Sequence, residues 1–423
     1  VPVTGLGVVS SIGIGHRAYE EGLRQGRSGI TPITRFDTSG FPGPLGGEIR
    51  GFDPNEHLSR LDPTMWPLAA QFAAASAAMA VSDAGLTATD LRGRRILVCF
   101  GTTDGAAAEV DELVRQRHHD ERLDRRLGYQ VSCDLITSAV ATELGLIGAR
   151  LMTLGTACAA GNYAIGYAMD EIRHGRCDLA IAGGADAMCR KTYASFYRLG
   201  TIAPDACRPF DKDRKGILTA EGAATLILES HESTMARDAR TAGVVLGYGL
   251  NCDAHHPVAP QRRSIASAIG KALADAQVHP NEVDFVSAHG TGTRSNDATE
   301  CEALRLSYGC TPLPPVISVK SMLGHTMGAA SALAAVASLL AIDHGFIPPT
   351  INHVATDPAC DVDCVPNESR NAAVRIVQNN AFAFGGNNAV TIFGARAHDR
   401  DDSRNWRLLT VRRQRPGTHQ RMS

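Results

Sequence analysis

The chain reads as an α/β protein made of two similar halves, and three observations point there. Short β-branched runs alternate with long Ala-rich segments, the pattern of helices packed on sheets. The composition is globular: 423 residues, 44% hydrophobic and 20% charged, allow a large core. A weak internal echo divides the chain. Leu151–Thr156 leads through Cys158 into an Ala/Gly helix, and Val316–Lys320 leads through His325 into another.

Taken in order, the strands expected are Arg95–Phe100, Leu179–Ala182, Ala223–Glu229, Val283–Ala288, Val316–Val319 and Ala389–Phe393. The helices expected are Pro67–Ala84, Ala159–His174, Arg262–Ala276, Asn296–Leu306 and Met327–His344. Met327–Ile342 is the most apolar stretch. It carries Gly328, Ser331 and Ser338 and is short of about 20 residues, so it reads as a buried core helix and not a membrane span. Small residues let backbones approach closely, which places such helices between two layers. The halves are drawn as 1–240 and 241–395, followed by an extension over 396–423.

That extension holds eight Arg against three Asp, so it carries +5 and leaves −7 for the chain before it. With a total of −2 there is no global basic field for a nucleic acid. The opening VPVTGLGVVSSIG does not have the form of a signal peptide. Eleven Cys scattered singly, with no CxxC pair, suit a reducing cytoplasm better than a disulfide framework. His255-His256 beside Pro257 reads as loop, and no metal-ligand spacing appears.

Four motifs carry chemistry. Cys158 in TACAAG falls at a strand-to-helix junction, where the helix N-terminus is expected to lower a thiol pKa and favour a thiolate nucleophile. His289 opens HGTGT directly after a strand; Thr291 and Thr293 offer hydroxyls there. Lys320 and His325 bracket KSMLGH. A Lys closing an apolar strand needs a carboxylate, and Glu300 is the partner expected. Last, Phe382 and Phe384 interleave with Gly385 and Gly386 before the final strand, as a tight turn or as a loop that closes over a substrate.

These four elements, in this order and spacing, resemble those of the β-ketoacyl synthases of the thiolase superfamily, on the fatty-acid elongating and type II polyketide side. RPFDKDRKG at Arg208–Gly216 adds to the resemblance, which covers about residues 1–395. It implies a thiolase-like fold of five layers, αβαβα, with two pseudo-repeated halves. It implies a Cys158-His289-His325 site supported by Lys320 and Glu300. The backbone N–H groups of Cys158 and Phe384 would form an oxyanion hole, with Phe382, Gly385 and Gly386 in the gating loop. The activity implied is β-ketoacyl-acyl carrier protein synthesis, an acyl transfer with C–C bond formation by decarboxylative Claisen condensation through an acyl-Cys158 thioester. No cofactor is called for, since phosphopantetheine arrives on an acyl carrier protein. A homodimer, or a heterodimer with a ketosynthase-like subunit, is implied; nucleic acid and membrane are not.

The departures from the family pattern are informative. Ala383 and Asn387 stand where the family's loop carries Gly and Thr, and Ala383 is expected to stiffen it. Ala220 stands where Gly is usual. Asp104 in GTTDG matches a position that is apolar in fatty-acid elongating relatives, where it faces the acyl tunnel. A carboxylate there points to a short or polar acyl donor and to specialised metabolism. A thiolase would need a second Cys in the C-terminal motif, and chalcone-type enzymes pair Cys with His and Asn, so neither fits. Two alternatives stay open: a ketosynthase-like cyclase acting on a tethered chain, and a non-catalytic chain-length subunit, which Cys158 argues against.

Overall fold

The computed structural model describes residues 1–396. The basic extension beyond Arg396 therefore lies outside the described residues.

The main sheet has eleven strands, ten in one continuous order and a two-residue strand, Gly13–Ile14, paired with the end of the first. The first half supplies β1 (Pro2–Ser10), β2 (Ile96–Gly101), β3 (Arg150–Leu154), β4 (Leu179–Asp186) and β5 (Gly222–Glu229). The second supplies β6 (Gly243–Cys252), β7 (Phe285–Ser287), β8 (Val316–Ile317), β9 (Ile376–Phe382) and β10 (Asn387–Gly394). The spatial orders are β3-β2-β4-β5-β1 and β8-β7-β9-β10-β6. These are the same order, each half counted from its own first strand. The senses match too: in each half the fifth strand alone runs antiparallel to its neighbours. The two runs meet edge to edge at Pro2↔Val244 and Val3↔Gly243.

Helices complete the layers. On the first half, α1 (Leu68–Asp83) packs on β1, β4 and β5, and α2 (Leu135–Leu144) on β2 and β3. Between the halves lie α3 (Ala160–Arg173) and a later helix, α7 (Ala330–His344), each touching strands of both. After α4 (Arg190–Arg198), the outer face of the second half is covered by α5 (Arg262–Ala276), against which α6 (Arg294–Tyr308) packs. The order of layers is αβαβα, in a mixed sheet with helices on both sides.

The central pair explains the small residues. A Cβ on Gly161 of α3 would stand 2.7 Å from Ala332 N of α7, so only glycine allows this approach. Met327–His344 is long and apolar enough to cross a membrane, but it is buried in the protein, as a core helix is. The expected segments fall on observed elements with ends moved by a few residues. The strands β1, β6 and β9 were not expected. β9 reads IVQNNAF, and its buried Gln378, Asn379 and Asn380 hide it from an apolar pattern.

Both halves kink in the same way before their central helix. Thr156 and Thr326 precede residues with left-handed backbone, Ala157 (φ 49) and Met327 (φ 48), and short 3₁₀ turns follow at Ala157–Ala159 and Met327–Ala329. The internal echo is thereby corrected. The residue matching Cys158 is Gly328, not His325, which lies three residues earlier in an inserted loop.

Candidate active site

Cys158 is delivered by the first kink. β3 ends at Leu154, the chain turns at Thr156 and Ala157, and Cys158 sits second in the 3₁₀ turn that opens α3. The thiol is buried. Burial pushes its pKa up to about 12, against the Lys320 charge, which lowers it; Asp186 and Asp104 raise it further. The expected lowering of the thiol pKa is thus corrected: desolvation outweighs the lowering by Lys320.

His289 follows β7 after one residue. Its N–H donates to Glu300 Oε1 (2.9 Å), and Gly290 N–H donates to Glu300 Oε2 (2.9 Å). Asn380 Nδ2 also donates to Glu300 (3.0 Å). Lys320 Nζ donates to the His289 carbonyl at 2.6 Å. Hence the expected Lys320–Glu300 ion pair is corrected. Among the described residues no carboxylate pairs with Lys320, and Glu300 instead shapes the His289 backbone. Burial lowers the Lys320 pKa, with the nearby Glu300 charge opposing.

His325 is pinned on both sides by strand-like bonds, its N–H to Leu218 O (2.6 Å) and its carbonyl from Ala220 N–H (2.9 Å). Its Nδ1 accepts from Met327 N–H (3.1 Å), so the neutral ring carries its proton on Nε2. The two imidazole rings stand 5.6 Å apart at 81°, and His289 also faces Phe382 at 5.8 Å. Burial holds both pKa values well below 6.5, aided by the Lys320 charge, so both rings are neutral at pH 7.

These groups open into one cavity of about 280 Å³. Cys158, His289, His325, Thr291, Thr293, Phe382, Phe384 and Gly386 line it. The Thr291 and Thr293 hydroxyls share a bond of 2.9 Å. Phe384 is partly exposed, and its ring leans on Phe196 at 5.5 Å. The left-handed turn falls at Gly385 (φ 79) and Gly386 (φ 76), while Ala383 is extended at φ −132. Ala therefore fits at 383 without strain. Lys320 and Glu300 stand behind the wall. Asp104 does not line the cavity. Its buried carboxylate accepts from Lys191 Nζ (2.9 Å) and Thr192 Oγ1 (2.7 Å), so it is a neutralised pair and not a bare charge.

Several residues at the site were not singled out from the sequence. Asp186 ends β4 fully buried, with four donors on its carboxylate. An acid closing an apolar strand was its signal, by the same logic that marked Lys320. Phe196, Leu199 and the 256–260 loop also line the cavity, brought there from elsewhere in the chain with no local signal. Among the described residues no cluster of three or more His, Cys, Asp or Glu could hold a metal ion.

Family models decide the kinship. Residues 1–234 match the β-ketoacyl synthase N-terminal domain and residues 242–354 the β-ketoacyl synthase C-terminal domain. The chain belongs to the β-ketoacyl synthase family. This β-ketoacyl synthase is 37% identical over 405 residues to 3-oxoacyl-[acyl-carrier-protein] synthase 2 of Synechocystis sp., covering 93% of this chain and 97% of that protein. It is 36% identical over 402 residues to nodulation protein E of Rhizobium sp., covering 93% and 98%. Among solved structures it is similar to a chain of the ishigamide ketosynthase/chain length factor, at 52% identity and TM-score 0.92 over 93% of this chain and 98% of that one. A second is a type II polyketide acyl-carrier protein in complex with its ketosynthase, AntDE:AntF, at 31% identity and TM-score 0.85 over 93% and 99%. The synthase is accordingly an acyltransferase with the thiolase-like fold.

Proposed function

We propose that the protein condenses carrier-bound acyl units through an acyl-Cys158 thioester, in polyketide or other specialised metabolism. The observation that carries this reading is one cavity holding a buried thiol and two neutral imidazoles. In the loading step Cys158 Sγ attacks the thioester carbonyl of an acyl group on a carrier's phosphopantetheine. The C–S bond to pantetheine breaks, and the Cys158 proton ends on the departing sulfur. In the second step a malonyl unit on a carrier loses CO₂, and its bonding pair moves into the thioester as an enolate. His289 and His325 donate N–H bonds to the enolate oxygen; neutral rings suit this, since they stabilise developing charge without first giving up a proton. The enolate carbon attacks the acyl-Cys158 carbonyl, whose oxygen is held by the N–H groups of Cys158 and Phe384. The C–S bond then breaks and the thiolate takes a proton from water.

Thr291 and Thr293 offer hydroxyls to the incoming arm, and the Phe382–Gly386 turn gates it. We take the acyl donor to be short or polar because Asp104 departs from the family pattern; its carboxylate, paired with Lys191, stands outside the cavity lining. The partners proposed are an acyl carrier protein and a second ketosynthase-like subunit, identical or not. The eleven cysteines are all free, which suits the cytoplasm. The deciding experiment incubates the protein with a panel of acyl-carrier thioesters and malonyl-carrier protein. Intact-protein mass spectrometry should show the acyl mass on Cys158, and CO₂ release should follow. An acyl mass that persists in Cys158→Ala overturns the reading.

A further inference from the structure

The carboxylate of Asp186 ties the 102–104 loop to the Met327–Ala329 turn that follows His325. Thr102 Oγ1 (2.6 Å) and Asp104 N–H (2.9 Å) donate to Oδ1; Thr103 N–H (2.9 Å) and Gly328 N–H (2.6 Å) donate to Oδ2. Each oxygen thus receives two donors; these bonds favour the ionised acid, against burial and the neighbouring Asp104 charge, which push its pKa up to about 7. The Gly328 bond is the one with reach. Gly328 follows Met327, whose left-handed backbone is costly for a non-glycine residue and needs support from its surroundings. Met327 N–H is the donor that fixes His325 Nδ1.

The other kink supplies the contrast. Cys158 and Gly328 are each second in a 3₁₀ turn, a place where helix geometry leaves the N–H without an intrahelical partner. At Gly328 a carboxylate takes that N–H. Asp186 ends the fourth strand of its half, and Phe382 ends the fourth strand of the other. Each kink therefore faces the end of the fourth strand of the opposite half. At Cys158 that strand end leads into the Phe384 turn, whose own N–H cannot accept.

We propose that Asp186 is a positioning residue for His325: by holding Gly328 it holds the Met327 N–H on Nδ1, so that the ring turns Nε2–H toward the cavity. This rests on the reading of His325 as a donor in CO₂ loss.

The test compares Asp186→Asn with the unaltered protein in two assays and one spectrum. Acyl loading on Cys158 stays within about threefold, while CO₂ release from malonyl-carrier protein falls about 10- to 100-fold, the scale of a displaced catalytic group. ¹⁵N spectra of labelled histidine show His325 leaving the pure Nε2–H tautomer, a change that general loosening would not single out. An unchanged spectrum with unchanged CO₂ release overturns the proposal, and so does a parallel fall in both assays. Should Asp186→Asn not fold, Asp186→Glu keeps the charge at a new length and must show the same split, with the same two outcomes against it. His325→Ala separates the two ideas. If it releases CO₂ normally, the functional reading fails; if it does not and Asp186→Asn does, only the role of Asp186 falls.

Discussion

The two halves share strand order and the kink before their central helix, yet they divide the chemistry between them. In the first half one residue, Gly155, separates β3 from its kink. The turn carries a thiol, and Asp104 and Asp186 lie near it. In the second half residues 318–325 intervene between β8 and its kink, and Lys320 and His325 ride on that insertion. There the turn carries glycine, and its N–H is bound to a carboxylate. A duplicated backbone thus supports a thiol on one side and an imidazole and a cation on the other, which the proposed function reads as nucleophile and electrophilic support. The lesson is that equivalent positions diverge by what faces them across the pseudo-dyad as much as by their own side chains.

Breaking the first half should have the largest effect. Cys158→Ala is expected to abolish acyl loading, read as mass added to the intact protein, while the melting temperature is held. Breaking the second half should spare loading and stop chemistry later. His289→Ala or His325→Ala is expected to slow CO₂ release about 10²–10³-fold, the scale of one lost oxyanion donor, in a radiolabelled malonyl assay. Normal release in both variants would erase the division of labour.

Lys320 sharpens the comparison because its charge acts on both sides. It lowers the pKa of Cys158 and of both histidines. Lys320→Met should therefore raise all three: loading slows and needs higher pH, and the acid limb of CO₂ release moves to higher pH. A rate loss of about tenfold is expected, in the range of general acid–base and charge effects. Identical pH profiles for variant and parent would show that the cation serves geometry alone.

A smaller effect is written in stability. Unfolded, each imidazole takes a proton near pH 6.5; folded, both resist it because they are buried. Below pH 6.5 the unfolded chain binds protons that the native chain does not, so stability falls with pH until the folded pKa is reached. Above that window the term is absent. The slope is at most about 1.4 kcal/mol per pH unit for each ring. Urea denaturation at pH 7.5 and 5.5 should show the His289→Ala/His325→Ala protein losing less stability between them than the parent. The smallest change is one of preference. Asp104→Leu, paired with Lys191→Met to avoid an orphaned cation, should shift loading toward longer saturated acyl groups with little change in the best rate. An unmoved acyl profile would remove Asp104 from the question of specificity.

Much of this was legible along the chain. TACAAG, HGTGT and KSMLGH marked the residues that come together: Cys158, His289 and His325 line one cavity, and Lys320 stands behind its wall. Lys320 was marked by the cost of burying its charge, but its partner was misassigned. Spacing says that a cation needs a counterpart; it does not say that a backbone carbonyl at 2.6 Å will serve. Asp186 carried the same signal as Lys320 and was passed over. β9 was hidden because its buried polar residues bond one another and the central helices, as Asn379 does with Asn162 at 2.9 Å.

By itself, then, the sequence determined the α/β class, the halves and which Cys, His and Lys side chains gather at one place, since these follow from period, glycine placement and side-chain chemistry. Tertiary structure decided the rest. The thiol pKa rises because burial is a property of packing and not of the residues beside Cys158. The partner of Lys320 lies 31 residues away and that of Gly328, Asp186, 142 residues away, while the match of Cys158 with Gly328 rests on backbone angles. Local sequence carries no record of which groups a fold will bring within 3 Å, and that distance is where hydrogen bonds and pKa values are set.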